Sequence, residues 1–263
     1  MNRSNAEPTR QAPVSPAPTK EATPTQMATK TAPILYLPTW SRLRIATKQR
    51  TRLGSGGDFF EVFQHREGPV TTVMADVAGN GPRAAVPVSD LRWAFRQRLA
   101  RGEAPGQVLA AVNDWLIGQS VHELLVTALC VRVDVTTGVA EIASAGHLGP
   151  FIKRKSGVAE TLTPAPALPL GILEGEEYTA IRTVLSVQDA LVLATDGVTD
   201  RLATTSDPLG ELGLVRHLTA APPSPAHICD ALLSIGADHD HDATVVVVQM
   251  PARQRKPTPS ERR

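Results

Sequence analysis

Alternation of apolar and polar residues indicates that the folded part of the chain begins with β-strands. Residues 42–50, RLRIATKQR, alternate in the way that a half-buried strand does. Residues 59–65 and 69–77 are rich in the aromatic and β-branched side chains that favour strands. The pattern therefore predicts three strands before any helix.

After the third predicted strand, apolar residues recur at helical spacing. They predict one helix within residues 83–102, with a bend or restart at Pro87, because proline lacks a backbone donor. They predict a second helix within residues 104–120, and two such helices could cover one face of a sheet. Trp93 and Trp115 share the helical spacing and are expected in the core.

Strands predominate again in the second half. A short glycine-containing turn favours an antiparallel hairpin between the strands predicted at 124–134 and 138–147. The remaining predicted elements are a strand pair within 149–162, strands at 177–185 and 189–196, a helical insertion from about Asp200 to Ala237, and a last strand at 243–250. Strands that follow one another, with the helices grouped, indicate an α+β domain with layered antiparallel sheets.

The two ends of the chain have a different composition. Residues 1–33 are rich in proline, threonine and alanine, and are expected to be disordered because they offer few large apolar side chains. They also lack the apolar segment of a secretory signal. Residues 34–250 are expected to form one folded domain, followed by a basic flexible tail at 251–263.

Charge and cysteine usage exclude several classes of protein. The formal net charge is +1, from 27 basic and 26 acidic residues, so no general attraction to nucleic acid or to an anionic membrane is expected. No apolar run approaches the roughly 18 residues of a membrane span, and a cytoplasmic location is expected. Cys130 and Cys229 lie in apolar segments without metal-binding spacing, and are interpreted as reduced core thiols.

Acidic residues adjoin four apolar, β-prone segments. These residues are Asp58, Asp76, Asp196, and Asp242 with its neighbours Asp238 and Asp240. Taken singly, such aspartates would suit turns or caps, but a charge beside a buried segment is costly unless it is paired or bound to a metal. A set of carboxylates without thiols suits Mg²⁺ or Mn²⁺, and two such ions can generate a hydroxide that hydrolyses phosphoesters.

Seven motifs in order resemble a known family. They are GGDFFEVF, DVAGNGPRAA, LLVTAL, ASAGHLGPF, LPLGIL, LVLATDGVTD and DATVVVV. Together they are similar to the metal-dependent protein phosphatase (PPM) family, in its bacterial SpoIIE-like branch, over residues 37–250. The resemblance implies a four-layer α/β/β/α sandwich of two mainly antiparallel sheets flanked by helices, with a site for two metal ions in a cleft at one end of the sheets.

The resemblance also implies roles for individual residues. Asp76 would bridge two Mn²⁺ or Mg²⁺ ions, and the carbonyl of Val77 would complete one coordination shell. Asp58 would bind one ion and Asp196 the other side of the cluster, while Asp200 matches a position that reaches a third, weakly held ion. A hydroxide bridging the metals would attack phosphorus directly, without a covalent phosphoenzyme.

The last ligand is left open by a departure from the family pattern. The family has two adjacent aspartates before AT, whereas this chain reads DHDHDAT, so Asp242 is preferred and His241 or Asp240 are alternatives. A histidine ligand would shift the preference toward Mn²⁺ or a softer ion. Glu61 replaces a family aspartate, Asn80 replaces a frequent histidine, and no phosphate-binding arginine is assigned.

The preferred functional hypothesis is a Mn²⁺- or Mg²⁺-dependent protein serine/threonine phosphatase. By resemblance, its substrate would be a phosphorylated regulator of the anti-anti-sigma type, and neither nucleic acid nor membrane is an expected partner. The alternatives are a catalytically weak phosphatase-like binding module, suggested by the irregular DHDHD ending, and a small-molecule phosphoesterase. The oligomeric state stays open, with a homodimer as one alternative. His147 is expected to support the site structurally, and Asp200 could instead cap a following helix.

Overall fold

The computed structural model describes residues 43–51, 57–64, 68–78, 88–119, 124–203, 210–235 and 242–252. At position 78 and positions 201–203 it describes the backbone alone. The predicted N-terminal segment and almost all of the predicted basic tail lie outside these ranges. Within the described ranges, no helix has both the length and the apolar character needed to cross a membrane.

The strands of the described ranges form two five-stranded sheets, and every neighbouring pair is antiparallel. The first sheet has the order β1 (Arg44–Arg50), β10 (Ala243–Gln249), β9 (Ala190–Ala194), β6 (Phe151–Lys153) and β7 (Ala159–Thr161). The second has the order β2 (Phe59–Gln64), β3 (Val70–Ala78), β4 (Leu125–Val133), β5 (Val139–Ala145) and β8 (Ile181–Val184). These strands confirm those predicted from the apolar pattern, including the β4–β5 hairpin.

The helices occur in two groups along the chain, one between β3 and β4 and the other between β9 and β10. They are α1 (Val88–Ala100), α2 (Pro105–Gly118), α3 (Asp196–Ala203), α4 (Gly210–Ala220) and α5 (Pro225–Leu233). Helix α1 begins one residue after Pro87, and the rest of that predicted helix, residues 83–87, lies outside the described residues. The predicted start of the helical insertion, at about Asp200, was wrong: α3 begins at Asp196, because an aspartate is favourable in the first turn of a helix.

Three buried apolar cores separate four layers. One core, with Phe95 near its centre, lies between α1, α2 and the second sheet. A second, around Met74, lies between the two sheets, and a third, around Leu218, lies between the first sheet and helices α3 to α5. Cys130 and Cys229 are buried in these cores and form no disulfide. The predicted α/β/β/α sandwich is therefore confirmed.

One predicted core residue lies on the surface. Trp93 is 58% exposed, whereas Leu91 and Phe95 on the same helix are fully buried. Two residues correspond to about 200° of rotation around a helix, so Trp93 faces away from the side that Leu91 buries. Trp115 on α2 is partly buried against the core, as the pattern indicated.

Candidate metal centre

Asp58 and Asp76 lie side by side at one end of the second sheet. The antiparallel register of β2 and β3 brings Asp58, which precedes β2, next to Asp76 near the end of β3. The Val77 amide donates to the carbonyl of Gly57 at 3.3 Å. A Cβ added to Gly57 would lie 2.4 Å from the Val77 carbonyl oxygen and 3.2 Å from Asp76 Oδ1. A glycine is therefore required for this close approach of the two strands.

Asp196 and Asp242 lie at an end of the first sheet, where β9 and β10 adjoin. The Thr195 amide donates to the carbonyl of Thr244 at 3.1 Å, and the Thr244 amide donates to Thr195 Oγ1 at 2.9 Å. A Cβ at Gly197 would lie only 1.7 Å from the Asp242 carbonyl oxygen. The start of α3 thus packs directly on the residue that leads into β10.

Asp58 joins the two sheets. Its Oδ2 atom accepts hydrogen bonds from Thr195 Oγ1 and Thr244 Oγ1, each at 2.8 Å, and all three residues are buried. Burial raises the pKa of Asp58 to about 7; the charges of Asp76 and Asp242 add to the increase, while the two hydroxyl groups oppose it. Carboxylates from both sheets therefore interact at one place. We call Asp58, Asp76, Asp196, Asp242 and the Val77 carbonyl the acidic site.

Asp200 lies on α3, four residues after Asp196. Residues four apart in a helix share one face, and both carboxylates belong to exposed residues. Asp200 is inside the helix rather than at the start of another one, so the alternative interpretation as a cap was wrong. Its position beside Asp196 is compatible with the role implied by the family.

Glu61 is engaged away from the acidic site. It lies on β2 and is buried, and its carboxylate accepts hydrogen bonds from Arg92 Nε at 2.7 Å and Arg96 Nε at 2.9 Å. The Arg92 guanidinium also lies 5.9 Å from the centre of the Phe59 ring. Glu61 therefore ties α1 to the strand that follows Asp58.

His147 contacts the strand residue that is paired with Asp76. Its Nδ1 atom is 2.8 Å from Oγ1 of Thr127, which is the residue opposite Asp76 in the β3–β4 pair. Burial lowers the pKa of His147 to about 4, and the carbonyl of Ala194 partly opposes this decrease. A neutral imidazole that contacts groups of both sheets fits the supporting role expected for this residue.

Sequence reasoning missed Thr195 and Thr244. Each threonine lies at the end of an apolar strand and close to a candidate ligand. Thr195 precedes Asp196 in the sequence ATD, and Thr244 follows Asp242 by two residues in the sequence DAT. This position could have indicated a role in the site, because a buried hydroxyl group needs a hydrogen-bond partner and a carboxylate lies nearby in the sequence. The remaining candidates from the sequence, Asn80, Asp238, Asp240 and His241, lie outside the described residues.

The donor chemistry of the acidic site fits Mg²⁺ or Mn²⁺. The candidate ligands are all oxygen atoms, which these ions prefer, and no thiol is among them. Within the described ranges, no three histidine, cysteine, aspartate or glutamate side chains are arranged so that they could hold an ion by themselves. Mg²⁺ usually keeps several water ligands, so carboxylates contributed by two sheets, supplemented by a carbonyl and water, suit it without a complete protein cage.

Comparison with known proteins identifies the family. A sequence model of the stage II sporulation protein E (SpoIIE) family matches residues 66–251. The chain belongs to the SpoIIE family. It is 30% identical over 146 residues to the phosphoserine phosphatase RsbU of Bacillus subtilis (strain 168), an alignment that covers 55% of this chain and 43% of RsbU. This SpoIIE-family chain spans less than half the length of the curated relatives that it matches.

Solved structures share the SpoIIE-family fold. The RsbU and RsbW domains of a Mycobacterium tuberculosis protein align with a TM-score of 0.68 and 25% identity, over 81% of this chain and 62% of that one. The catalytic domain of the serine/threonine phosphatase PstP, in complex with two manganese ions, aligns with a TM-score of 0.57 and 18% identity, over 80% of this chain and 98% of that one. The second similarity concerns the fold alone. Both confirm the layered architecture, and the family model together with RsbU confirms the resemblance found in the motifs.

Proposed function

We propose that this chain is a Mn²⁺- or Mg²⁺-dependent phosphatase that hydrolyses phosphoserine or phosphothreonine on a protein. The main observation is that Asp58, Asp76 and Asp242 interact electrostatically although they come from two sheets. One buried carboxylate, Asp58, close to two half-buried ones is an unfavourable concentration of negative charge unless cations neutralise it. The phosphoserine phosphatase RsbU and the manganese complex of PstP support this interpretation.

In this proposal the ligands have distinct roles. Asp76 would bind both ions, and the Val77 carbonyl would complete the coordination shell of one of them. Asp58 would bind one ion, Asp196 and Asp242 the other side of the pair, and Asp200 would reach a third ion. When bound, the ions supply a water molecule of lowered pKa and stabilise negative charge on the phosphoryl group. Thr195 and Thr244 hold one oxygen of Asp58 in place, which fixes the direction of its carboxylate.

The cysteines of the chain do not favour a covalent alternative. Cys130 and Cys229 are buried in apolar cores, and burial raises the pKa of both thiols. A thiol kept protonated in this way is a poor nucleophile. The thiols therefore do not favour a cysteine nucleophile, and the proposed mechanism is direct attack by water on phosphorus.

The proposed substrate is a phosphorylated regulator of the anti-anti-sigma type. The similarity to RsbU and to a structure that contains RsbU and RsbW domains supports this choice. A phosphoserine peptide and small metabolite phosphates, compared as substrates by kcat/KM, distinguish a protein phosphatase from a small-molecule phosphoesterase. A clear preference for the peptide is expected.

The experiment that tests the proposed activity is hydrolysis of p-nitrophenyl phosphate with and without Mn²⁺. We expect manganese-dependent turnover by the wild type and a decrease of at least about a hundredfold in Asp76→Asn. Asp230→Asn is the matched control, because this carboxylate is exposed on α5 and pairs with Lys48. No turnover by a folded wild type with either Mn²⁺ or Mg²⁺ would overturn the proposal and favour a phosphatase-like binding module.

A further inference from the structure

Residues 168–173 expose large aliphatic side chains close to the acidic site. Leu168, Ile172 and Leu173 are 40%, 50% and 53% exposed. We call these three side chains the apolar platform. Single exposed aliphatic residues are common, but several on one short segment indicate an interaction surface.

The backbone beneath the apolar platform is held at several points. The amide of Leu170, a buried residue, donates to the Val126 carbonyl at 2.8 Å. The buried side chain of Asn113 accepts a hydrogen bond from the Gly171 amide at 2.9 Å and donates to the Leu173 carbonyl at 2.8 Å. The platform is therefore presented by an anchored segment, which lowers the entropic cost of binding a partner.

The register of the second sheet places this segment beside the acidic site. Val126 on β4 is paired with Val77 on one side and with Leu170 on the other. Two strand spacings separate the backbones of Val77 and Leu170, which corresponds to about 10 Å. An extended peptide covers that distance in about three residues. A peptide whose phosphoserine occupies the acidic site can therefore reach the apolar platform.

The segment that carries the apolar platform has charged side chains of one sign. Residues 168–180 contain Glu174, Glu176 and Glu177 and no lysine or arginine. Asp114, an exposed residue on α2, also adjoins the segment, because its Oδ1 accepts a hydrogen bond from the Gly175 amide at 3.1 Å. Positively charged residues of a partner would therefore be favoured here.

We propose that the apolar platform is a docking surface for the protein substrate. It binds an aliphatic side chain about three residues from the phosphorylated serine, while the surrounding carboxylates attract a lysine or arginine next to it. This inference rests on the proposed function, because it concerns the substrate of the same site. It predicts that the enzyme selects substrates by the apolar and basic residues that flank the phosphoserine.

Two phosphoserine peptides of equal length test the inference. One carries leucine and lysine three and four residues from the phosphoserine on both sides, and the other carries serine and aspartate at those positions. We expect the wild type to prefer the first peptide about tenfold in kcat/KM, relative to p-nitrophenyl phosphate. The double variant Ile172→Ser, Leu173→Ser should lose this preference. Val184→Ser is the matched control, because Val184 is 54% exposed at the opposite end of the second sheet.

Three results would overturn the inference. The first is an unchanged peptide preference in the double variant, and the second is an equal loss of turnover with the peptide and with p-nitrophenyl phosphate. The third is a dimer in solution that the double variant dissociates, which would make the platform an interface between copies of this chain. If the wild type does not hydrolyse p-nitrophenyl phosphate, the proposed function fails, and fluorescence anisotropy with the same two peptides still tests docking.

Discussion

Thr244 Oγ1 lies 2.8 Å from Asp58 Oδ2 and thereby joins the first sheet to a carboxylate of the second. Thr195 Oγ1 donates to the same oxygen at the same distance. Two donors on one carboxylate oxygen fix the orientation of the group and favour the other oxygen, Oδ1, as the metal ligand. In the proposed metal site the threonines would therefore support metal binding without touching the ion, as hydrogen-bonding groups around metal ligands do.

Replacing Thr244 with valine should weaken Mn²⁺ binding. The variant has nearly the same shape but no hydroxyl group, so Asp58 loses one of the hydrogen bonds that orient it. Loss of such a supporting contact typically lowers metal affinity by about 10-fold to 100-fold. Isothermal titration calorimetry with Mn²⁺ measures this change, and Thr244→Ser, which retains the hydroxyl group, should bind almost as tightly as the wild type.

Thr47→Val is the control for the Thr244 prediction. Thr47 is buried on β1 of the same sheet, and its hydroxyl group has no hydrogen-bond partner among the described residues. This variant should leave the Mn²⁺ affinity unchanged. Equal weakening by Thr47→Val and Thr244→Val would attribute the effect to packing in the sheet and not to the contact with Asp58.

Gly197→Ala should disturb the acidic site through the backbone. The added Cβ would overlap the Asp242 carbonyl oxygen, so either α3 or the start of β10 has to move. We expect lower Mn²⁺ affinity and a decrease of about 1–3 kcal/mol in the free energy of unfolding, measured by urea denaturation. Gly118→Ala is the control, because nothing lies within 4 Å of a Cβ at that helical position. It should be neutral or stabilising, and similar effects of both variants would contradict the prediction.

The layered fold could be predicted because most of its elements have a simple apolar period. The alternating residues of β1 and the apolar run of β10 are strands in the structure, and the spacing of Leu91 and Phe95 gives the buried face of α1. The same spacing argument failed for Trp93, because an apolar side chain was counted without its angle around the helix axis. A pattern of apolar and polar residues predicts the buried side of a helix only when the angle of each residue around the helix axis is considered.

The acidic site was predictable only in part. Motifs identified Asp58, Asp76, Asp196 and Asp242, but spacing along the chain cannot show which side chains meet across two sheets. The contacts of Asp58 with Thr195 and Thr244 span 137 and 186 residues of sequence. Such contacts depend on the register of strands that are distant in the chain, and no local pattern encodes them.

Glu61→Asp should loosen the attachment of α1 to β2. The longer glutamate side chain contacts both Arg92 and Arg96, and a side chain shorter by one methylene group cannot keep both contacts without movement of the helix. The arginine side chains are 41% and 60% exposed, so the loss in unfolding free energy should be only about 1 kcal/mol. Thermal unfolding measures the difference.

Glu160→Gln provides the control for the Glu61 prediction. The Glu160 side chain is 49% exposed and pairs with Arg154, so its substitution should change the stability by less than about 0.5 kcal/mol. If Glu61→Asp is no less stable than Glu160→Gln, the double contact with α1 contributes nothing beyond a surface ion pair.

His147 should make the protein less stable below neutral pH. Its pKa is about 4 in the folded protein, whereas the pKa of an unfolded histidine is about 6.5. As the pH falls below about 6.5, the unfolded chain takes up a proton that folded His147 does not accept until about pH 4, so the free energy of unfolding decreases across that interval. Between pH 7 and pH 5 this one residue should account for about 2 kcal/mol. Urea denaturation at both pH values, for the wild type and His147→Gln, isolates this contribution, since the other titrating groups are common to both proteins. An equal decrease in the two proteins would show that His147 is not held neutral by burial.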